Sequence, residues 1–276
     1  MQQYNDLCLE LSSIITQRYS TSFTKGIQTL HKRFHLPIYA IYGFVRVADE
    51  IVDTFHGHDK EQLLNDFKKD TWHAIRTGIS TNPVLHAFQL TVNQFKIEDE
   101  LIEAFLYSMT LDLDKKDYDE AFYNKYIYGS AEVVGLMCLR VFCEGDGKLY
   151  DTLVPPARKL GAAFQKVNFL RDLKSDFQER GRVYFPGVDF TDFSEEQKRA
   201  IEADIQRDFD DAYQGIMMLP KGVREGVYAA YVYYLELLRR IQKEPASKVM
   251  QMRIRVPDWL KAILLAKAQL RMMYSN

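Results

Sequence analysis

Tyr42-Gly43-Phe44-Val45-Arg46-Val47-Ala48-Asp49-Glu50-Ile51-Val52-Asp53 reads as helix on two counts. Together with Ile41, the residues Phe44, Val45 and Ile51 supply apolar packing. Tyr42, Arg46, Asp49 and Asp53 stand at offsets 0, 4, 7 and 11 and so share one narrow face. That face is polar where a core stripe is expected. Two carboxylates one turn apart repel each other when exposed alone, so a compensating group is expected beside them, and a divalent cation would serve.

Working outward, Pro37 opens this helix and His56-Gly57-His58-Asp59 closes it with turn chemistry rather than a metal motif. Apolar residues recur at helical spacing through the rest of the chain, and strict alternation is hard to find. Further helices are predicted at roughly Lys60–Arg76, Pro83–Gln94, Glu98–Leu111, Asp119–Cys143, Pro156–Phe177, Ser194–Met217, Lys221–Gln242 and Pro257–Met273. Gln178 to Phe193, with Gly181, Pro186 and Gly187, is the one long irregular stretch, and such loops are often functional. The expected fold is all-α, a single helical domain over residues 1–276 with no linker dividing it.

Composition excludes several function classes. Hydrophobic residues make up 47% of the 276 residues and charged residues 27%, the balance of a globular protein. Formal net charge is −2 with Lys and Arg dispersed, which argues against nucleic acid as a partner. Cys8, Cys138 and Cys143 form no CxxC pair, so neither a disulfide framework nor a zinc site is indicated, and a reducing cytoplasm fits. The start of the chain reads as no signal peptide, and charged residues interrupt every apolar run, so any membrane contact is expected to be peripheral.

A second polar face lies on a later helix. Gln165, Asn168, Asp172 and Asp176 stand at offsets 0, 3, 7 and 11, flanked by Arg171 and Lys174. One such face alone reads as a solvated helix surface; two suggest a shared task. Mg²⁺, or Mn²⁺ in its place, takes oxygen ligands and is often held by one or two carboxylates together with substrate phosphate oxygens. If the two helices face each other across a bundle, their carboxylates can hold metal while Arg46 and Arg171 meet the remaining diphosphate oxygens.

With these residues in hand, the chain resembles the head-to-head isoprenyl synthases, the squalene and phytoene synthase family. The match rests on Tyr19-Ser20-Thr21-Ser22-Phe23, on Tyr42 to Asp53, on Tyr126 to Gly135, and on Gln165 to Asp176 continuing into Arg182-Val183-Tyr184-Phe185-Pro186. The resemblance implies a class I isoprenoid synthase bundle with a central cavity and isoprenoid diphosphate substrates. It implies Mg²⁺ bound by Asp49, Asp53, Asp172 and Asp176 with Asn168. It implies diphosphate contacts at Ser20, Ser22, Arg46, Arg171 and Tyr234, and cavity residues near the reacting carbons at Tyr42, Tyr126, Gln165 and Tyr184. The family often has Ala-Gly where this chain has Ala131-Glu132, so either the helix sits further out or Glu132 joins the polar site.

Arg253-Ile254-Arg255-Val256-Pro257 followed by Lys261 resembles the tail of phytoene synthases, which implies geranylgeranyl diphosphate as substrate; squalene or dehydrosqualene synthesis from farnesyl diphosphate is the alternative. A terpene cyclase or chain-elongating prenyltransferase would be expected to show DDxxD, which Asp49-Glu50-Ile51-Val52-Asp53 does not match. A non-catalytic assembly factor would be expected to have lost motif aspartates, and all four are present. Finally, Trp259, Ile263, Ala266, Leu270 and Met273 form one apolar stripe with Lys261, Lys267 and Arg271 off it. Such a stripe either seals the core or docks peripherally on the inner face of a membrane.

Overall fold

The first helix is one that hydrophobic periodicity does not reveal. In α1 (Gln2–Tyr19) the buried positions are Cys8, Ser12 and Thr16, spaced four apart, and two of the three are polar. Their hydroxyls are satisfied within the helix: Ser12 Oγ donates to the Cys8 carbonyl at 3.3 Å and Thr16 Oγ1 to the Ser12 carbonyl at 2.9 Å. The small side chains admit a close neighbour, and a Cβ on Gly43 would stand 3.1 Å from Ser12 Oγ. The sequence reading placed no helix before Pro37, and α1 and the short α2 (Thr21–Gln28) correct it.

A computed structural model describes residues 1–113, 119–178, 184–188 and 193–274, with the side chains of 175–178 and 273–274 outside that description. The helices that follow are α3 (His35–Asp53), α4 (Lys60–Thr77), α5 (Pro83–Phe95), α6 (Asp99–Leu111), α7 (Glu120–Ile127) and α8 (Val133–Cys143), then α9 (Gly147–Gln178), α10 (Glu195–Met218), α11 (Arg224–Gln242), α12 (Ala246–Val249) and α13 (Asp258–Tyr274). No strand occurs among the described residues. Side chains cap many of the starts: Asp59, Asn82 and Asp119 each accept from a first-turn backbone N–H, and Ser194 and Gln197 form a reciprocal capping box.

Two expectations change here. The helix predicted from Pro156 begins at Gly147 and runs through Pro155 and Pro156. Proline in a helix interior costs a hydrogen bond and needs room for its ring. Gly215 of α10 provides that room, since a Cβ there would stand 2.4 Å from the Pro156 ring. Second, the helical run Glu120–Cys143 is long and apolar enough to cross a membrane by length and composition, but 56% of its most apolar window is buried. It is a core helix of the bundle, packed against α6 and α9.

Two apolar clusters build the core. One gathers α3, α4, α5, α6 and α8 around Phe44, which stacks on Phe88 with ring centroids 3.8 Å apart. The other gathers α7, the later part of α9, α10, α11 and α13. Between them, the polar faces of α3 and α9 line a common cavity.

The α7–α8 junction is a π turn, Tyr128–Glu132, packed between α6 and α9. Glycine lets both neighbours approach. A Cβ on Gly129 would lie 2.5 Å from the Ala104 carbonyl oxygen, and one on Gly161 would lie 2.9 Å from that of Ala131. The close approach anticipated for a glycine at position 132 is therefore achieved from the opposite helix by Gly161. Glu132 turns aside and pairs with Arg158 at 2.5 Å.

Candidate active site

One cavity of about 240 Å³ is lined by Asp49, Val52 and Asp53 from α3, Asp112 at the end of α6, Tyr126 from α7, Gln165, Asn168, Phe169, Arg171 and Asp172 from α9, and Tyr184. The two polar faces read from sequence thus converge on one space. Glu132 is not among the lining residues, so the alternative in which it joins the polar site is set aside. Asp176 falls on α9, with its side chain outside the described residues, as does most of the loop from Gln178 to Phe193.

Four carboxylates against one guanidinium make the wall strongly acidic. Asp172 is held by two arginines: Arg171 donates from Nε and Nη2 at 3.0 and 2.5 Å, and Arg253 from Nε and Nη2 at 2.8 and 3.4 Å. Burial pulls the Arg171 pKa down, but the hydrogen bond and charge of Asp172 outweigh it, so the guanidinium is held above its ordinary value. Arg253 was read only as part of a family-like tail; nothing in sequence spacing ties it to Asp172. Asp112 was missed as well. It accepts a 2.8 Å hydrogen bond from the Tyr126 hydroxyl, and a lone Asp at a helix end carries no sequence signal.

An aromatic wall stands beside the acids. Phe169 stacks on Tyr184 with centroids 4.0 Å apart and planes 6° from parallel, and Tyr126 stacks on Tyr184 at 5.5 Å. All three are buried. Their faces carry the negative lobe of the ring quadrupole, which suits an electron-poor carbon.

The remaining candidates form an adjoining group. Burial raises the Tyr42 hydroxyl pKa, opposed by the Arg46 charge and a hydrogen bond with Ser20, while the charge of Asp49 and the nearby Tyr234 raise it further. Tyr42 stacks on Phe23 at 5.0 Å. Ser20 also caps α2 by accepting from the Phe23 N–H at 3.2 Å, and Ser22 lies in the first turn of that helix. Arg46 pairs with Glu50 and lies over the Tyr19 ring at 4.4 Å, while its Nε is buried without a hydrogen-bond partner. Tyr234 stacks on Phe164 at 4.0 Å, and burial raises its pKa against the opposing effects of Arg171 and a hydrogen bond with Asn168.

Asn168 supplies the test of whether a cation fits. Its Oδ1 is buried with no hydrogen-bond partner, and a buried acceptor left unsatisfied costs about 1–3 kcal/mol. A hard cation would satisfy it, and the carboxylates on the same wall are all oxygen donors. Among the described residues no three His, Cys, Asp or Glu side chains stand close enough to hold a metal ion by themselves. The set therefore suits a cation that completes its shell with phosphate oxygens and water, the habit of Mg²⁺.

Known proteins resemble this chain in sequence and in fold. A family profile described as squalene/phytoene synthase matches residues 16–260. The phytoene synthase of Arthrospira platensis is 29% identical over 289 residues, covering 95% of this chain and 92% of that protein. The 15-cis-phytoene synthase of Synechococcus elongatus is 29% identical over 282 residues, covering 93% and 91%. Among solved structures, a dehydrosqualene synthase superposes with a TM-score of 0.84 at 21% identity, over 99% of this chain and 98% of that one. A squalene synthase from Alicyclobacillus acidocaldarius gives 0.75 at 20% identity, over 86% and 95%.

Proposed function

The chain belongs to the squalene/phytoene synthase family, and on that premise we propose that it condenses two molecules of geranylgeranyl diphosphate head to head, giving phytoene through a cyclopropylcarbinyl diphosphate. The observation that carries the reading is the convergence of Asp49, Asp53, Asp172 and the unsatisfied Asn168 Oδ1 on one cavity. The similarity to phytoene synthases over more than nine-tenths of the chain supports the choice of the longer substrate.

Asp49, Asp53, Asp172 and Asp176, with Asn168, would hold Mg²⁺, which supplies Lewis-acid stabilisation of departing diphosphate. Arg171 in the cavity wall and Arg46 on α3 would offer positive charge to the leaving group, and Ser20, Ser22 and Tyr234 would offer hydroxyls to its oxygens. Ionisation breaks the C–O bond of one substrate and leaves an allylic cation. The double bond of the second substrate attacks that cation and a proton is lost, closing the cyclopropane. Ionisation of the cyclopropylcarbinyl diphosphate then releases the second diphosphate, and the rearranged cation loses a proton to give phytoene. Tyr126, Phe169 and Tyr184 offer ring faces to the cationic carbons, and their burial excludes water that would quench them.

The test is to incubate the protein with Mg²⁺ and either geranylgeranyl or farnesyl diphosphate and weigh the hydrocarbon formed. Phytoene from the former, abolished by EDTA, is the expected result. A shorter hydrocarbon from farnesyl diphosphate alone would replace the substrate assignment with the dehydrosqualene reading, or with the squalene reading if it forms only when NADPH is added as hydride donor. No product from either substrate, with or without NADPH, would reject catalysis.

A further inference from the structure

We propose that α13 docks this protein onto an anionic lipid bilayer through a stripe that helix packing leaves uncovered. The helix is apolar on two opposite sides. Ala268 and Met272 are buried, and with Leu264 and Leu265 they pack on the second core cluster. Opposite them stand Trp259, Ile263 and Leu270, exposed by 64, 41 and 52%, with exposed Ala266 between. Met273 continues the stripe in sequence, with its side chain outside the described residues. A globular helix needs one apolar face to hold it on the core. Here that need is met by the other face, so the sequence expectation that this stripe seals the core is not fulfilled.

Charge selects the occupant. From residue 253 to 271 the chain carries five basic residues against the single acid Asp258, in a chain of net charge −2. Arg253 is committed to Asp172 and Lys261 pairs with Asp258, which leaves Arg255, Lys267 and Arg271 as the exposed positive charge of this segment. Lys267 and Arg271 are exposed beside the stripe. A second copy would bring two net-positive segments together, whereas an anionic headgroup layer is opposite in sign, the arrangement of an interfacial helix. Tryptophan at one end suits the boundary between headgroups and acyl chains, where its ring is apolar and its N–H finds a polar partner.

Position links the stripe to the site. Arg253, five residues before α13, donates to Asp172 in the cavity wall, so the segment that leads into the exposed helix is anchored at the candidate active site. A long hydrocarbon formed there would reach acyl chains without crossing water; this last point alone rests on the proposed reaction.

The experiment uses the full chain with sedimentation on phosphatidylglycerol/phosphatidylcholine vesicles and on phosphatidylcholine alone. A Trp72→Phe background leaves Trp259 as the single tryptophan, so its emission reports burial directly. Expected are pelleting with the anionic vesicles, weakening with salt, a blue shift of Trp259 emission, and at least a tenfold loss of binding in Trp259→Glu/Leu270→Glu. Both substituted side chains are exposed, so circular dichroism should show an unchanged helix content. Three results would each overturn the docking: no pelleting of the parent protein, pelleting indifferent to the double variant, or a dimer that the double variant dissolves. Turnover is assayed separately in detergent. Lipid binding absent with turnover intact removes the docking alone; lipid binding present without turnover removes the proposed reaction alone.

Discussion

Arg253 Nε donates to Asp172 Oδ1 at 2.8 Å across 81 residues of sequence, completing with Arg171 a two-sided guanidinium clamp on that carboxylate. The pair changes the energetics of the helix. Carboxylates spaced along one helix face repel when alone, but Asp172 sits between two positive charges and attraction prevails.

Replacing Asp172 with Asn is accordingly expected to cost stability as well as activity. Arg171, with only 18% of its side chain exposed, would lose its charged partner, for a loss of about 1–3 kcal/mol. Turnover should fall on the order of a hundredfold or more, the scale for removing a group that stabilises developing charge. Urea unfolding and a product assay on the same preparation check both, and an active or a stabilised Asp172→Asn protein contradicts the assignment.

Arg46→Lys should be a poor replacement. The guanidinium lies over the Tyr19 ring at 4.4 Å while pairing with Glu50, two contacts that a planar fork can serve together better than a point charge. A fall in kcat of at least about tenfold, or ~1.4 kcal/mol of barrier, is expected. Unchanged kcat with both geranylgeranyl and farnesyl diphosphate would show that Arg46 does not act on the leaving group.

Gly129→Ala tests the packing that sets Tyr126 in place. The new methyl would meet the Ala104 carbonyl oxygen at 2.5 Å and Ser108 Cβ at 2.7 Å. A backbone oxygen cannot rotate away, so α6 and the π turn must separate. A loss of about 1–3 kcal/mol, typical of overpacking, is expected in denaturant unfolding, together with reduced turnover as Tyr126 shifts from Asp112. A variant as stable as the parent would contradict this close approach.

His86 predicts an acid-sensitive joint between α1 and α5. It is fully buried, and burial lowers its pKa from 6.5. The Ser80 N–H donates to Nδ1 at 3.2 Å, so Nε2 carries the proton and donates to Asn5 Oδ1 at 2.8 Å. A second proton on Nδ1 would face that N–H and break the arrangement. The neutral ring therefore stabilises the fold fully above pH 6.5, and the contribution is lost as pH falls from 6.5 through the lowered folded value. Thermal unfolding should show Tm falling over that range, with a flatter profile in His86→Gln; identical profiles would rule the residue out.

Much of the site was legible because it follows helical repeats. Asp49 and Asp53 on α3, and Gln165, Asn168 and Asp172 on α9, keep one face by spacing alone, and that geometry is local. The glycine question at Glu132 was legible as a question. Its answer lay on α9, where Gly161 provides the clearance. Helix α1 was illegible for a different reason: Ser12 and Thr16 bury hydroxyls that bond within the helix, so its inner face has no apolar signature.

The sequence by itself determined that the chain is helical, which faces of α3 and α9 are polar, and which residue types those faces present, because each depends on periods of a few residues. The tertiary structure alone decided that Asp112 lines the cavity and that Arg253 pairs with Asp172 in its wall, and that Trp259, Ile263 and Leu270 face outward while Leu264, Ala268 and Met272 face in. Two apolar stripes on one helix look alike in sequence. Which of them is buried depends on what packs against α13, and on the chain segments far away that supply it.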